Sequence, residues 1–99
     1  MAQFDFYQAP RSQGYLLDIQ ADLLDALDTR VVVPLLPIKV FPKRAHSLNP
    51  EFDIDGKRYV MVPEFVGAIS RIELNQPTGS LENQRNIIIR AIDVLLAGA

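Results

Sequence analysis

Residues 80–99 constrain the fold more than any other stretch, because they read as one helix with more apolar surface than a single packing face can cover. Ser80 suits the N-cap, and Glu82 suits the positive end of the first turn. Leu81, Ile88, Ile92 and Leu95 form one stripe at helical spacing. Ile89 and Leu96 widen it on one side, and Ile87, Ala91 and Val94 widen it on the other. At 3.6 residues per turn the apolar arc spans roughly 220°, about twice the stripe a helix needs to lie on one sheet. The excess predicts a second covering surface, and a partner subunit supplies one. Ile87, Ile89, Val94 and Leu96 are the residues expected at that homodimer interface.

The rest of the chain sets what this helix packs on. A length of 99 residues predicts one domain, 1–99, and 48% hydrophobic residues provide a modest core. A net charge of −2 argues against electrostatic capture of nucleic acid by the chain alone. Cysteine is absent, which removes disulfides, thiol catalysis and cysteine-based zinc sites. The opening Met1-Ala2-Gln3-Phe4-Asp5-Phe6 lacks the pattern of a signal peptide, and no apolar run approaches the ~20 residues that cross a bilayer. The expectation is a soluble, cytoplasmic protein without membrane contact.

Phe4 and Phe6 alternate with polar neighbours as in a half-buried strand. Residues 15–20 form a second strand leading into residues 21–28, where Leu23, Leu24 and Leu27 sit between aspartates. That segment is either a helical turn or a loop displaying a di-leucine tip. Val31-Val32-Val33 is β-branched throughout and predicts a buried strand. Pro34, Pro37 and Pro42 then predict that any strand over 35–41 is interrupted or at an edge. Asp55-Gly56 between two strand-like runs is hairpin chemistry. Ile69, Ile72 and Leu74 suggest one more short strand before residues 76–79 turn into the helix. The sum is a small α+β, mostly β, barrel-like domain of antiparallel strands closed by a C-terminal helix.

Side chains with chemistry are sparse. His46 is the sole histidine and reads as a loop or surface residue beside Lys43 and Arg44, with no second histidine or tight carboxylate cluster to make it a base or metal ligand. Asp18, Asp22, Asp25 and Asp28 lack a calcium-loop pattern and read as solvated surface around an apolar tip. Lys39, Lys43, Arg44, Lys57 and Arg58 are too few for a nucleic-acid surface on an acidic chain and read as a sheet rim. Leu23 and Leu24 are balanced between core residues and an exposed projection for a partner.

The string from Tyr15 through Asp25, then Thr29-Arg30-Val31-Val32-Val33-Pro34-Leu35, then Asn86, Arg90-Ala91-Ile92-Asp93 and Gly98, resembles the CcdB family of toxin–antitoxin modules along essentially the whole chain. The resemblance implies an SH3-like small β-barrel of the CcdB/MazF-like toxin type, with an added three-stranded sheet and the C-terminal helix. It implies a homodimer with the helices near the two-fold axis, and a CcdA-like antitoxin with a disordered segment that folds on binding and joins the toxin in repressing the operon. It further implies poisoning of DNA gyrase through the A-subunit dimer. The family's contact residues carry over to Leu23 and Leu24, and to Asp93, Leu96, Ala97, Gly98 and Ala99. Ala97 stands where the family has a tryptophan, and Ala99 where it has an isoleucine.

Such a protein works by binding, so the expectation is a chain that is not an enzyme and needs no cofactor or metal. The alternatives are a non-toxic or retargeted family member that binds antitoxin and regulates the operon, and a MazF-like endoribonuclease. Arg30 alone, without a companion base or the glycine-rich run of those enzymes, speaks against the last.

Overall fold

Strand β3 (Thr29–Pro37) is the longest strand and the one on which the others are hung. The computed structural model describes residues 1–41 and 45–98. β2 (Tyr15–Asp18) pairs along one edge of β3, with Leu17 opposite Val33. The other edge is shared: β6 (Gly67–Ser70) covers residues 29–32 and β5 (Lys57–Met61) covers residues 35–37. β1 (Asp5–Gln8) and β7 (Gly79–Ser80) extend the sheet beyond β2, and β4 (Glu51–Ile54) extends it beyond β5. Every pairing is antiparallel, and the sheet curls into a half-barrel closed by the helix α1 (Arg85–Ala97). This is the expected mostly-β class. Among the described residues the strands form one continuous seven-stranded sheet, in which β4, β5 and the end of β3 make a three-stranded section.

Pro34 corrects the expectation of an interrupted strand. It lies inside β3, opposite Leu16. In an antiparallel ladder a residue turns its amide and carbonyl to the same edge, and at Pro34 that edge is the gap where β6 has ended and β5 is about to begin. The carbonyl accepts from the Val62 amide at 3.0 Å, and the missing donor faces the junction, where no ladder bond is lost. The hairpin is as expected: Asp55 and Gly56 both take positive φ, 52° and 79°, which the tight primed turn requires. β6 ends at Ser70, so Ile72 falls in the following 3-10 turn and Leu74 beyond it.

The helix starts later than Ser80. Ser80 sits opposite Asp5, and the Leu81 amide donates to the Phe4 carbonyl at 2.8 Å, so pairing with the β1 end holds the chain extended. A 3-10 turn, Glu82–Gln84, intervenes, and the Ser80 hydroxyl accepts from the Glu82 amide there. α1 buries Ile88 and Ala91 against Phe4, Phe6, Leu17, Leu35 and Phe52, with Ile89 and Ile92 packed beside them. Each shoulder of the arc is split: Ile89 and Val94 are half-buried, whereas Ile87 is 47% and Leu96 77% exposed.

Ile88→Ala is expected to lower unfolding free energy by about 2–5 kcal/mol, as for other fully buried isoleucines. Ile72→Ala, at an exposed site, should stay within about 0.5 kcal/mol. Urea unfolding followed by circular dichroism tests both.

Candidate functional site

Residues 21–28 fold as the single 3-10 turn Asp22–Leu24 and its exit, and they present two leucines to solvent: Leu23 is 93% and Leu24 48% exposed. Both sequence alternatives for this segment are therefore realised together, a helical turn that displays its leucines. The turn is pinned from several sides. The Gln3 amide donates to Asp22 Oδ1 at 2.7 Å, and Gln20 Nε2 donates to the Leu24 carbonyl at 2.9 Å. Arg71 Nη1 donates to the carbonyls of Asp25 and Leu27 at 2.9 and 3.2 Å. Arg30 Nη1 reaches Asp25 Oδ1 at 3.1 Å.

Arg30 is the anchor. Its side chain and that of Asp18 are both 0% exposed, with Nε donating to Asp18 Oδ2 at 2.9 Å and Nη2 2.6 Å from the same oxygen. Asp18 Oδ1 accepts from the Gln20 amide at 2.9 Å, and Gln20 Oε1 accepts from the Val31 amide at 3.0 Å. Burial pushes the Asp18 carboxyl above its ordinary value, against the pull of the Gln20 amide and Arg30. The expectation of four solvated aspartates is thus corrected at Asp18. It is buried beside the buried Leu17, breaking the in–out alternation of the strand, and Arg30 on β3 lies within reach to pair with it.

Tyr7 is buried near this pair, and its hydroxyl has no hydrogen-bond partner among the described residues. Burial raises its pKa, with a further push from Asp5 and Asp18.

The second part of the expected contact lies at the end of α1. Gly98 takes the left-handed conformation at φ 75°, and its amide donates to the Val94 carbonyl at 2.9 Å, closing the helix. Asp93, Leu96, Ala97 and Gly98 are exposed, and Ala99 lies outside the described residues. Among the described residues no hydrogen bond or ion pair joins the helix end to the leucine turn. Sequence reasoning passed over Gln20 and Arg71; a polar residue inside a strand-like run was the available signal for Gln20, and Arg71 offered none.

A cleft of about 690 Å³ opens between α1, the β4–β5 hairpin and the turn at residues 46–50, lined by His46, Ser47, Asn49, Pro50, Glu51, Arg58, Ile87 and Arg90. His46 therefore has charged company that its sequence neighbours did not reveal. Arg58 pairs with Glu51 and Asp53 at 3.2 Å each, so it does not join a basic patch with Lys57; Lys43 and Arg44 lie outside the described residues. Among the described residues no group of histidine and carboxylate side chains is arranged to hold a metal, and no helix is long and apolar enough to cross a membrane.

Comparison with known proteins places this geometry. The model of a family described as CcdB protein matches residues 3–98. No curated protein matches the sequence. Among solved structures, an endoribonuclease from Mycobacterial species superposes with a TM-score of 0.78 at 13% identity, covering 97% of this chain and 90% of the other. An endoribonuclease in complex with its cognate antitoxin, also from Mycobacterial species, gives 0.76 at 14% identity, covering 97% and 94%. The shared property at these identities is the fold. The expectation of a protein that is not an enzyme is overturned by this finding, because both of these structures are named as endoribonucleases.

Arg30→Met, which leaves Asp18 buried and unpaired, should destabilise by about 3–5 kcal/mol, and adding Asp18→Leu should recover most of that loss. Equilibrium urea unfolding of both variants measures it. For Tyr7 the sign follows from its raised pKa. Below about pH 10 both states keep the phenol proton; above it the unfolded chain ionises first, and stability falls as pH rises. Tyr7→Phe should flatten that alkaline loss when unfolding midpoints are compared across the range.

Proposed function

The chain belongs to the CcdB family, and from that premise we propose that it is the toxin of a toxin–antitoxin module, one domain spanning 1–99 that works as a cytoplasmic homodimer and disables DNA gyrase by contact with the A-subunit dimer. The observation that carries this reading is the leucine turn. Two leucines held in water by side-chain and backbone anchors from Gln3, Gln20, Arg30 and Arg71 form a rigid apolar projection, and rigid apolar anchors are what interface hot spots are made of. The exposed helix end, with Asp93, Leu96, Ala97 and Gly98, supplies the second contact, and the family resemblance assigns Ala99, outside the described residues, to the same contact. Ile87, Ile89, Val94 and Leu96 meet the partner subunit; Ile87 and Leu96 are left uncovered by the sheet, in line with the wide apolar arc.

A CcdA-like antitoxin neutralises the toxin and joins it in repressing the operon. The neighbour solved with its cognate antitoxin supports a fold of this kind holding such a partner.

Ala97 sets the strength of the gyrase contact. Replacing a buried interface tryptophan with a small residue typically costs ~2–4 kcal/mol, or tens- to several-hundred-fold in affinity by the usual conversion, roughly. Binding to the A subunit should therefore be weak, and Ala97→Trp with Ala99→Ile should raise it by about tenfold or more. Leu23→Asp with Leu24→Asp should abolish it. Surface plasmon resonance on immobilised A subunit reads both; a folded Trp variant with no gain would count against the contact.

RNA cleavage is the second reading, favoured by the endoribonuclease neighbours and by the cleft that gathers His46, Arg58 and Arg90. Expression in cells separates the two. Gyrase poisoning produces double-strand breaks and an SOS response, ribonuclease action degrades mRNA without one, and a non-toxic regulatory member leaves growth untouched.

A further inference from the structure

The cleft beside α1 is a built feature. Asn49 is buried and fully used: its Oδ1 accepts from the Ala45 amide at 2.9 Å, and its Nδ2 donates to the Met61 carbonyl at 3.2 Å and to Glu64 Oε1 at 3.0 Å. Its own amide closes the turn on the Ala45 carbonyl at 2.8 Å, and the Met61 amide donates to the Pro50 carbonyl at 2.9 Å. The turn carrying His46 is therefore clamped to the end of β5 and cannot swing independently of the cleft wall. Opposite it, Arg90 projects from the face of α1 next to the buried Ile88–Ala91 stripe. The side chains of His46 and Arg90 form no hydrogen bond or ion pair with any described residue, whereas Arg58 is held by Glu51 and Asp53.

A fixed arginine, a second cation without a described protein partner and an exposed imidazole on a clamped turn line one cleft of about 690 Å³, and they match the needs of a phosphodiester: planar donors for the non-bridging oxygens and one group that can accept and return a proton. We propose that this cleft binds single-stranded RNA and is where the chain cleaves it, with Arg90 and Arg58 on the phosphate and His46 as the catalytic residue. The proposal rests on the ribonuclease reading above and gives it a location. In the step, His46 takes the proton of the 2′-hydroxyl, and the 2′-oxygen forms a bond to phosphorus. The bond from phosphorus to the 5′-oxygen breaks, and the imidazolium returns the same proton to that oxygen. The products are a 2′,3′-cyclic phosphate and a 5′-hydroxyl. Asn49 is a positioning residue that aims the turn.

The test uses the purified full chain with a short unstructured RNA, a second RNA carrying 2′-deoxyribose throughout, and three variants: His46→Ala, Arg90→Ala and Lys57→Ala, the last on the hairpin turn outside the cleft. Expected is cleavage of the RNA to cyclic-phosphate ends and none of the deoxy strand. His46→Ala should lower the cleavage rate by about 10²–10⁴-fold while RNA affinity in a filter-binding assay stays within about twofold. Arg90→Ala should weaken affinity by about tenfold and flatten its salt dependence. Lys57→Ala should change neither, and thermal melts should be unchanged because all three side chains are exposed. RNA cleavage that persists in both His46→Ala and Arg90→Ala would overturn this site and leave the ribonuclease reading standing. Wild-type protein that neither binds nor cuts the RNA would overturn both. Equal cutting of the deoxy strand would overturn the 2′-hydroxyl step.

Discussion

The Asp18–Arg30 pair bears on every part of this molecule. It joins β2 to β3 at the centre of the sheet, and both charges are wholly withdrawn from water. Removing two ions from water carries several kcal/mol of desolvation each, offset only when geometry and added hydrogen bonds are good. Here the Gln20 amide serves the aspartate and Asp25 serves Arg30 Nη1, while Arg30 Nη2 has the Asp18 ion pair and no hydrogen bond among the described residues. Because Asp25 belongs to the leucine turn, the charge pair that registers two strands also fixes the exposed apolar projection. A hydrophobic pair of similar size would hold β2 to β3 equally well; it would not reach out to position Asp25.

From that centre the architecture follows in two directions. Toward one end, Gln20, Arg30 and Arg71 tie the turn between β2 and β3 to the start of the 3-10 turn after β6, converting a polar loop into a rigid display of leucines. Toward the other, β3 continues through Pro34 to meet β5, whose hairpin and following residues form the wall of the cleft. α1 closes the half-barrel between them. Its buried stripe is satisfied by Phe4, Phe6 and Leu17, and its shoulders at Ile87 and Leu96 are left to solvent. One helix thus serves the core, the cleft through Arg90, and the exposed tip.

Much of this was legible beforehand where local chemistry and global fold agree. The Asp55-Gly56 hairpin depends on two positive φ values that few residue pairs tolerate, and it appears as read. The apolar helix and the β-branched strand were visible for similar reasons, whereas Leu23 and Leu24 stood evenly between core and projection until the turn placed them in solvent. Pro34 misled because a proline's cost depends on which edge its absent amide faces, and that is set by a partner switch between distant strands. Ser80 misled because good capping chemistry lost to pairing with β1. His46 lies exposed on a turn, as read; that it shares a cleft with Glu51, Arg58 and Arg90 was not legible, because those residues come from three different elements.

The amino-acid sequence by itself determined the inventory: which segments can be strand or helix, where the tight turn falls, and that the closing helix is apolar over too wide an arc for one sheet. These properties live in runs of neighbouring residues, so periodicity and turn preferences are enough to read them. Only the tertiary structure decided which charges meet. Asp18 with Arg30 and Arg71 with the leucine turn are encounters between residues apart in the chain, and Arg58 and Arg90 reach one cleft from different elements. Their energies depend on burial and on distances of a few ångströms, and nothing local in the sequence specifies either.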